Sequence, residues 1–128
     1  MFEQATTFGG ISVDDLDAAR AFYGETLGLR IHEGMGGINV ELPGDAHLWV
    51  YPKSDHRPAA FTVLNFSVPD IDAAVDALTA AGVTMTVYEG FWQDERGVAR
   101  GRSVGRGPDI AWFADPAGNI LAVLQEGD

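Results

Sequence analysis

The chain has 128 residues, 46% of them hydrophobic and 21% charged, which suits one globular domain with a core of its own. It has no cysteine, which excludes disulfides, thiolate metal sites and cysteine nucleophiles. Eight basic residues against nineteen acidic ones give a net charge of −11, which argues against nucleic acid or an anionic membrane as partner.

The opening stretch, "MFEQATTFGG", has neither a basic nor an apolar leader region. No apolar run approaches the roughly 20 residues of a membrane span, so a cytoplasmic protein is expected. The first predicted strand lies in "TFGGISV" and ends at an aspartate cluster, where Asp15 is a good helix-start residue. From there Leu16, Ala19, Phe22 and Tyr23 recur at helical spacing, and Gly28 stops the helix. Three short strands should follow, near Leu29–Glu33, Ile38–Leu42 and His47–Tyr51, parted by the turns "EGMGG" and "PGDA".

After the linker "PKSDHRPAA" the pattern begins again. "ISVDDLDAAR" (Ile11–Arg20) returns as "FSVPDIDAAV" (Phe66–Val75), 55 positions later. A strand in "FTVLNFSV" leads to Asp70, and a helix carries Ile71, Ala74, Ala77 and Leu78 to Gly82. Strands are predicted near Thr84–Tyr88, Ile110–Ala114 and Asn119–Gln125, with the turn "DPAGN" before the last. The expected fold is α+β: one domain over 1–128, built from βαβββ modules at 5–54 and 60–126. A curved mixed sheet with a concave site is the arrangement such modules suggest.

The phrases "ISVDDLDAARAFYGETLGL", "FSVPDIDAAVDALTAAGV" and "AWFADPAGNILAVLQ" resemble the vicinal oxygen chelate superfamily of glyoxalase I, extradiol dioxygenases and bleomycin-resistance proteins. The resemblance implies paired βαβββ modules and, commonly, a homodimer. It also implies a divalent metal held by His, Glu or Gln on the first and last strands of each module. Those positions fall here on Phe8, Val63 and Ala122 and, in the last strand of the first module, within one residue of Trp49. None offers a lone pair suited to a metal. His47 and Asn65, each two residues from such a position, keep the same strand parity. No metal and no cofactor are therefore expected.

Parity gathers Phe8, His47, Trp49, Tyr51, Val63, Asn65, Trp112 and Ala122 on one face, an apolar and aromatic hollow with a few polar groups. Rings of this kind stack on planar ligands or hold a cation, and core filling is the plain alternative for Phe8 and Val63. Glu89–Gly107 carries Phe91, Trp92 and four of the eight basic residues. Its glycines suggest a mobile loop, either a solvated hairpin or a flap over the hollow. His32 and His56 are expected at the surface, Tyr23 in the core, Asp115 capping its own turn, and Asp17 and Asp72 exposed on their helices. No Ser-His-Asp spacing, phosphate loop or carboxylate pair assigns a catalytic residue. The expected function is a metal-free binding protein for a planar or aromatic small molecule. The alternatives are a metal-dependent lyase, isomerase or dioxygenase with non-standard ligands, and a subunit-contact protein with a filled hollow.

Overall fold

A computed structural model describes residues 1–127. The chain divides into two compact units, Met1–Arg57 and a second beginning at Pro58, so the break falls inside the linker.

The first unit runs β1 (Gly9–Val13), α1 (Leu16–Ala21), β2 (Ile31–Gly34), β3 (Gly37–Leu42) and β4 (Ala46–Pro52). Its sheet has the order β1-β4-β3-β2, with β1 parallel to β4 and the other pairs antiparallel. Asp15 caps α1, accepting from the Ala18 amide at 3.1 Å. Six residues are too few for an independently stable helix, so packing has to hold it. The helix runs on through a π-helical turn, Phe22–Thr26, in which Phe22 and Tyr23 are both buried and meet edge to face. Gly28 then takes φ +70°, the left-handed exit anticipated from the sequence. Beneath the helix lie Ile11, Val13, Ile38, Val40, Leu48 and Val50, all buried and alternating along β1, β3 and β4. Each such side chain contributes about 1.5–3 kcal/mol when withdrawn from water.

The second unit runs β5 (Thr62–Ser67), α2 (Ile71–Ala80), β6 (Val98–Arg100), β7 (Asp109–Ala114) and β8 (Ile120–Gln125), in the order β5-β8-β7-β6. Again the first and last strands are parallel and the rest antiparallel. Asp70 caps α2 by accepting from the amides of Asp72 and Ala73 at 3.0 and 3.2 Å. Ile71 and Val75 on the helix are buried, as are Leu121, Val123, Ala111, Phe113 and Val98 on one face of the sheet. Asp115 accepts from the amides of Ala117 and Asn119 at 3.0 and 2.8 Å, capping its own turn as expected. Each unit is thus βαβββ, with its own four-stranded mixed sheet and one face covered by its helix.

One strand is displaced. Thr84–Tyr88, predicted as the second strand of its module, makes only the single bridge Thr86–Trp112. The outer edge of β7 is paired instead by Val98–Arg100. Val98 and Ala99 are buried, whereas Val87 and Tyr88 are exposed. The edge went to the segment that could bury apolar surface rather than to the one with the more β-like composition.

Candidate functional site

Each sheet has a second face, opposite the one its helix covers. In the first unit, cross-strand register places Gly10, Trp49, Asn39 and His32 in one row across that face. Ser12 and Tyr51 form the next row on one side, Glu41 and His47 on the other. Trp49 and Tyr51 are half-buried, and His47 is exposed. A Cβ on Gly37 would lie 3.0 Å from the far edge of the Trp49 indole and 2.5 Å from the Val50 carbonyl oxygen. The indole therefore lies down over β3, which a glycine at position 37 permits.

Hydrogen bonds fix the polar groups of this face. His47 Nδ1 meets Asn39 Oδ1 at 3.0 Å. His32 Nε2 pairs with the Glu41 carboxylate, and this hydrogen bond holds the carboxyl below its ordinary range. His56, expected to be solvated in the linker, is half-buried instead, because its Nδ1 meets Ser12 Oγ at 2.6 Å. Phe8 stands before β1 begins and is 65% exposed, so here it neither fills a core nor lies in the sheet.

In the second unit the corresponding face carries Asn65, Ala122 and Trp112 in one row. Val63 leaves the expected alternation. The register slips between Thr62 and Leu64, so Thr62 pairs with Ile120 and Leu64 with Leu121. That irregularity puts Thr62, not Val63, in step with Asn65. Its consequence is concrete: Trp112 Nε1 donates to Thr62 Oγ1 at 3.1 Å. Ala122 is fully buried between its neighbours, while Asn65 presents an exposed amide.

Trp112 is also where the long loop lands. The rings of Tyr88 and Phe91 meet it edge to face, with centroids 5.7 and 5.5 Å away. Tyr88, expected only as the end of a strand and not as a site residue, thereby joins Phe91 and Trp112. Trp92 is 43% exposed, with the Arg106 guanidinium over its ring at 5.5 Å from the centroid.

The arginines of this segment do not stand free in water. Arg96 pairs with Asp72 at 3.0 Å and also with Asp76. Arg100 joins Asp72 at 2.7 Å and Asp94 at 2.9 Å, and Arg102 lies 3.7 Å from Asp109. Asp72, expected as an exposed first-turn residue, is thus the post to which two arginines are tied. The Arg100 guanidinium, with Arg96 adding to it, holds the Asp72 carboxyl below the usual carboxylate range. Burial pushes the Asp94 carboxyl up, but hydrogen bonds from the Val98 amide, Arg100 and the Arg96 amide together hold it low.

The profile of the Glyoxalase/Bleomycin resistance protein/Dioxygenase superfamily matches residues 5–123, and the chain belongs to that superfamily. A biphenyl-2,3-diol 1,2-dioxygenase of Sphingomonas paucimobilis is 31% identical over 118 residues, 90% of this chain. The chain spans only 36% of that relative's length. Among solved structures, a glyoxalase family protein from Bacillus anthracis matches with a TM-score of 0.69 at 19% identity, covering 99% of this chain and all of the other. TnmS3, an antibiotic binding protein from a Streptomyces species, matches with a TM-score of 0.64 at 23% identity over 95% of this chain and 97% of its own. At these identities the two structures speak for the fold.

The divalent metal of the superfamily's enzymes does not fit the residues present here. The positions that the resemblance assigns to its ligands hold an exposed phenylalanine, a valine at a β-irregularity, a buried alanine and an indole whose nitrogen only donates. Among the described residues, no group of three or more His, Asp and Glu side chains is arranged to hold a metal ion. No helix among them is long and apolar enough to cross a membrane.

Proposed function

We propose that this chain binds a planar or aromatic small molecule through ring contacts rather than metal coordination. The observation that carries this reading is the meeting of Trp112, Tyr88 and Phe91 on the face of the second sheet opposite its helix. The Trp112 N–H is committed to Thr62, so the indole turns its π system rather than its donor toward a ligand. Asn65 supplies an exposed amide in the same row, able to orient a polar substituent. On the first sheet, Trp49 and Tyr51 with His47 make a second, more polar aromatic face. TnmS3, of like fold, is described as an antibiotic binding protein, which is in keeping with this use of the architecture.

Two probes test the reading, neutral 2-naphthol and cationic proflavine, titrated by calorimetry and by fluorescence anisotropy in metal-free buffer at moderate salt. Saturable binding is expected, weakened about tenfold or more by Trp112→Leu with the fold retained. A parallel Trp49→Ala variant reports whether the first face takes part. Absence of binding, or equal binding by Trp112→Leu, would remove the reading.

A second reading, a metal-dependent enzyme of the same superfamily, is favoured by the 31% identity to a dioxygenase. Stoichiometric uptake of Fe, Mn, Ni or Zn, with turnover of a catechol or a hemithioacetal, would establish it in place of the first.

A further inference from the structure

The loop that brings Tyr88 and Phe91 to Trp112 leaves the edge of β7 at Thr86 and returns to it at Gly97. Its two ends touch: a Cβ on Gly97 would lie 3.3 Å from the Thr86 carbonyl oxygen. Thr86 is itself held to the sheet, its amide donating to the Trp112 carbonyl oxygen at 2.8 Å. A loop closed on itself in this way needs something in its neck, since carbonyls brought together there would otherwise compete for donors.

Gln93 fills that place. Its side-chain Nε2 donates to the Thr86 oxygen at 3.0 Å and to the Gly97 oxygen at 2.7 Å, one bond to each side of the neck. Its Oε1 accepts from the Tyr88 amide at 2.8 Å. Both amide hydrogens and the carbonyl oxygen are thus engaged by backbone groups, which is nearly the full capacity of the side chain. The residues it grips are the anchor beside Trp112, the far end of the loop, and the residue whose ring lies against Trp112. Further along, Phe91 closes a turn on Tyr88, its amide donating to the Tyr88 oxygen at 3.1 Å, and the Gln93 amide donates to the Phe91 oxygen at 3.1 Å. Gln93 thus holds Tyr88 directly through its side chain and Phe91 through these backbone hydrogen bonds.

We infer that Gln93 is the positioning residue of the ring cluster: it touches no ligand, and it sets the spacing of Tyr88 and Phe91 around Trp112 on which ligand affinity depends. The inference rests on the binding reading above. Glutamate at this position would keep the acceptor for Tyr88 but turn an oxygen toward two carbonyls, forcing the neck apart. Methionine would keep the volume and lose all three bonds. The arginine pairs to α2 do not replace it, because they hold the returning arm and not Tyr88.

The test uses the full chain, the same two probes, and the variants Gln93→Glu, Gln93→Met, Tyr88→Leu with Phe91→Leu, and Trp112→Leu. Gln93→Glu and Gln93→Met are expected to keep the far-ultraviolet spectrum and cooperative melting of the parent. They should lower probe affinity about five- to tenfold, the scale on which one or two hydrogen bonds act. In a double-mutant cycle, adding Gln93→Met to a variant that carries both Tyr88→Leu and Phe91→Leu should cost little further affinity, because Gln93 acts through those two rings. A merely structural role would show additive losses or a lowered melting temperature with unchanged affinity, and either result overturns the inference. Full affinity in both Gln93 variants, with loss in Trp112→Leu, also overturns it and leaves the binding reading standing. If the parent binds neither probe, or Trp112→Leu binds as well as the parent, both fall together. Should one Gln93 variant not fold, the other carries the same comparison.

Discussion

The two modules start from nearly the same ten residues and reach the same covered face by the same means. Asp15 and Asp70 cap the helices, glycines end them, and alternating apolar residues lie beneath. They part company on the other face. In the first module the chain passes from helix to β2 within a few residues, and that face is settled by cross-strand pairs, His47 with Asn39 and His32 with Glu41. In the second, the chain between Thr86 and Gly97 makes an excursion that returns to deliver two rings onto Trp112. The scaffold is the repeated part, and a segment without counterpart in the first copy makes the second face distinctive. That follows from where each segment's energy comes from. The covered faces are paid in buried area, which tolerates little change, while a loop held by a few polar bonds can differ freely.

This division can be broken by substitution. The largest effect should come from Phe113→Ala on the covered face of the second sheet, where the ring is 1% exposed. A loss of about 3–5 kcal/mol is expected in urea unfolding. Phe91→Ala on the loop should cost no more than about 1 kcal/mol, the worth of one ring pair. Comparable losses at the two sites would mean that the loop belongs to the core after all.

Next comes Gly37→Ala in the first module. Its Cβ would meet the Val50 carbonyl oxygen at 2.5 Å, so backbone has to move, at about 1–3 kcal/mol. Gly10→Ala, whose Cβ would find ordinary contacts at 3.8–4.0 Å, should change the melting temperature little. If the two behave alike, Gly37 does not approach the Val50 carbonyl as closely as described.

Smaller effects sharpen the likeness of the helices. Asp70→Ala removes an acceptor for two amides and should cost about 1 kcal/mol, somewhat more than Asp15→Ala, which removes an acceptor for one. Thermal melts of both variants would show the order, and the reverse order would contradict the capping geometry.

The smallest effect concerns Asp72, whose carboxyl Arg100 and Arg96 hold low. A carboxylate depressed on folding stabilises above its unfolded value, near 4, and loses that contribution as pH falls through the lower, folded value. With half of the side chain exposed, solvent screens the pairs, and Asp72→Asn should cost less than about 1 kcal/mol at neutral pH. The difference from the parent should shrink below about pH 4 and in high salt. A difference that grew on acidification would show that the ion pairs are not its source.

What could be read along the chain was what depends on near neighbours. The doubled phrase announced two equivalent modules, the aspartates and glycines marked the helix ends, and β-rich stretches between turn signals marked seven of the eight described strands. Strand parity also grouped Trp49 with His47 and Asn65 with Ala122 and Trp112, because a pleated strand obeys a period of two wherever it is regular. Parity failed at Val63, since one irregularity shifts everything before it and nothing in "FTVLNF" declares it. It was equally silent on Thr62, Tyr88 and Gln93, whose roles arise from partners 50, 24 and 4–7 residues away. Composition likewise chose Thr84–Tyr88 for the edge of β7, most of which Val98–Arg100 took instead. Two candidate strands competed for one row of hydrogen bonds, and the outcome turned on which of them could bury its side chains once the sheet existed. Local chemistry is written in the sequence at the spacing of the elements; competition between distant segments for the same edge, and the bonds that settle it, exists only in the folded chain.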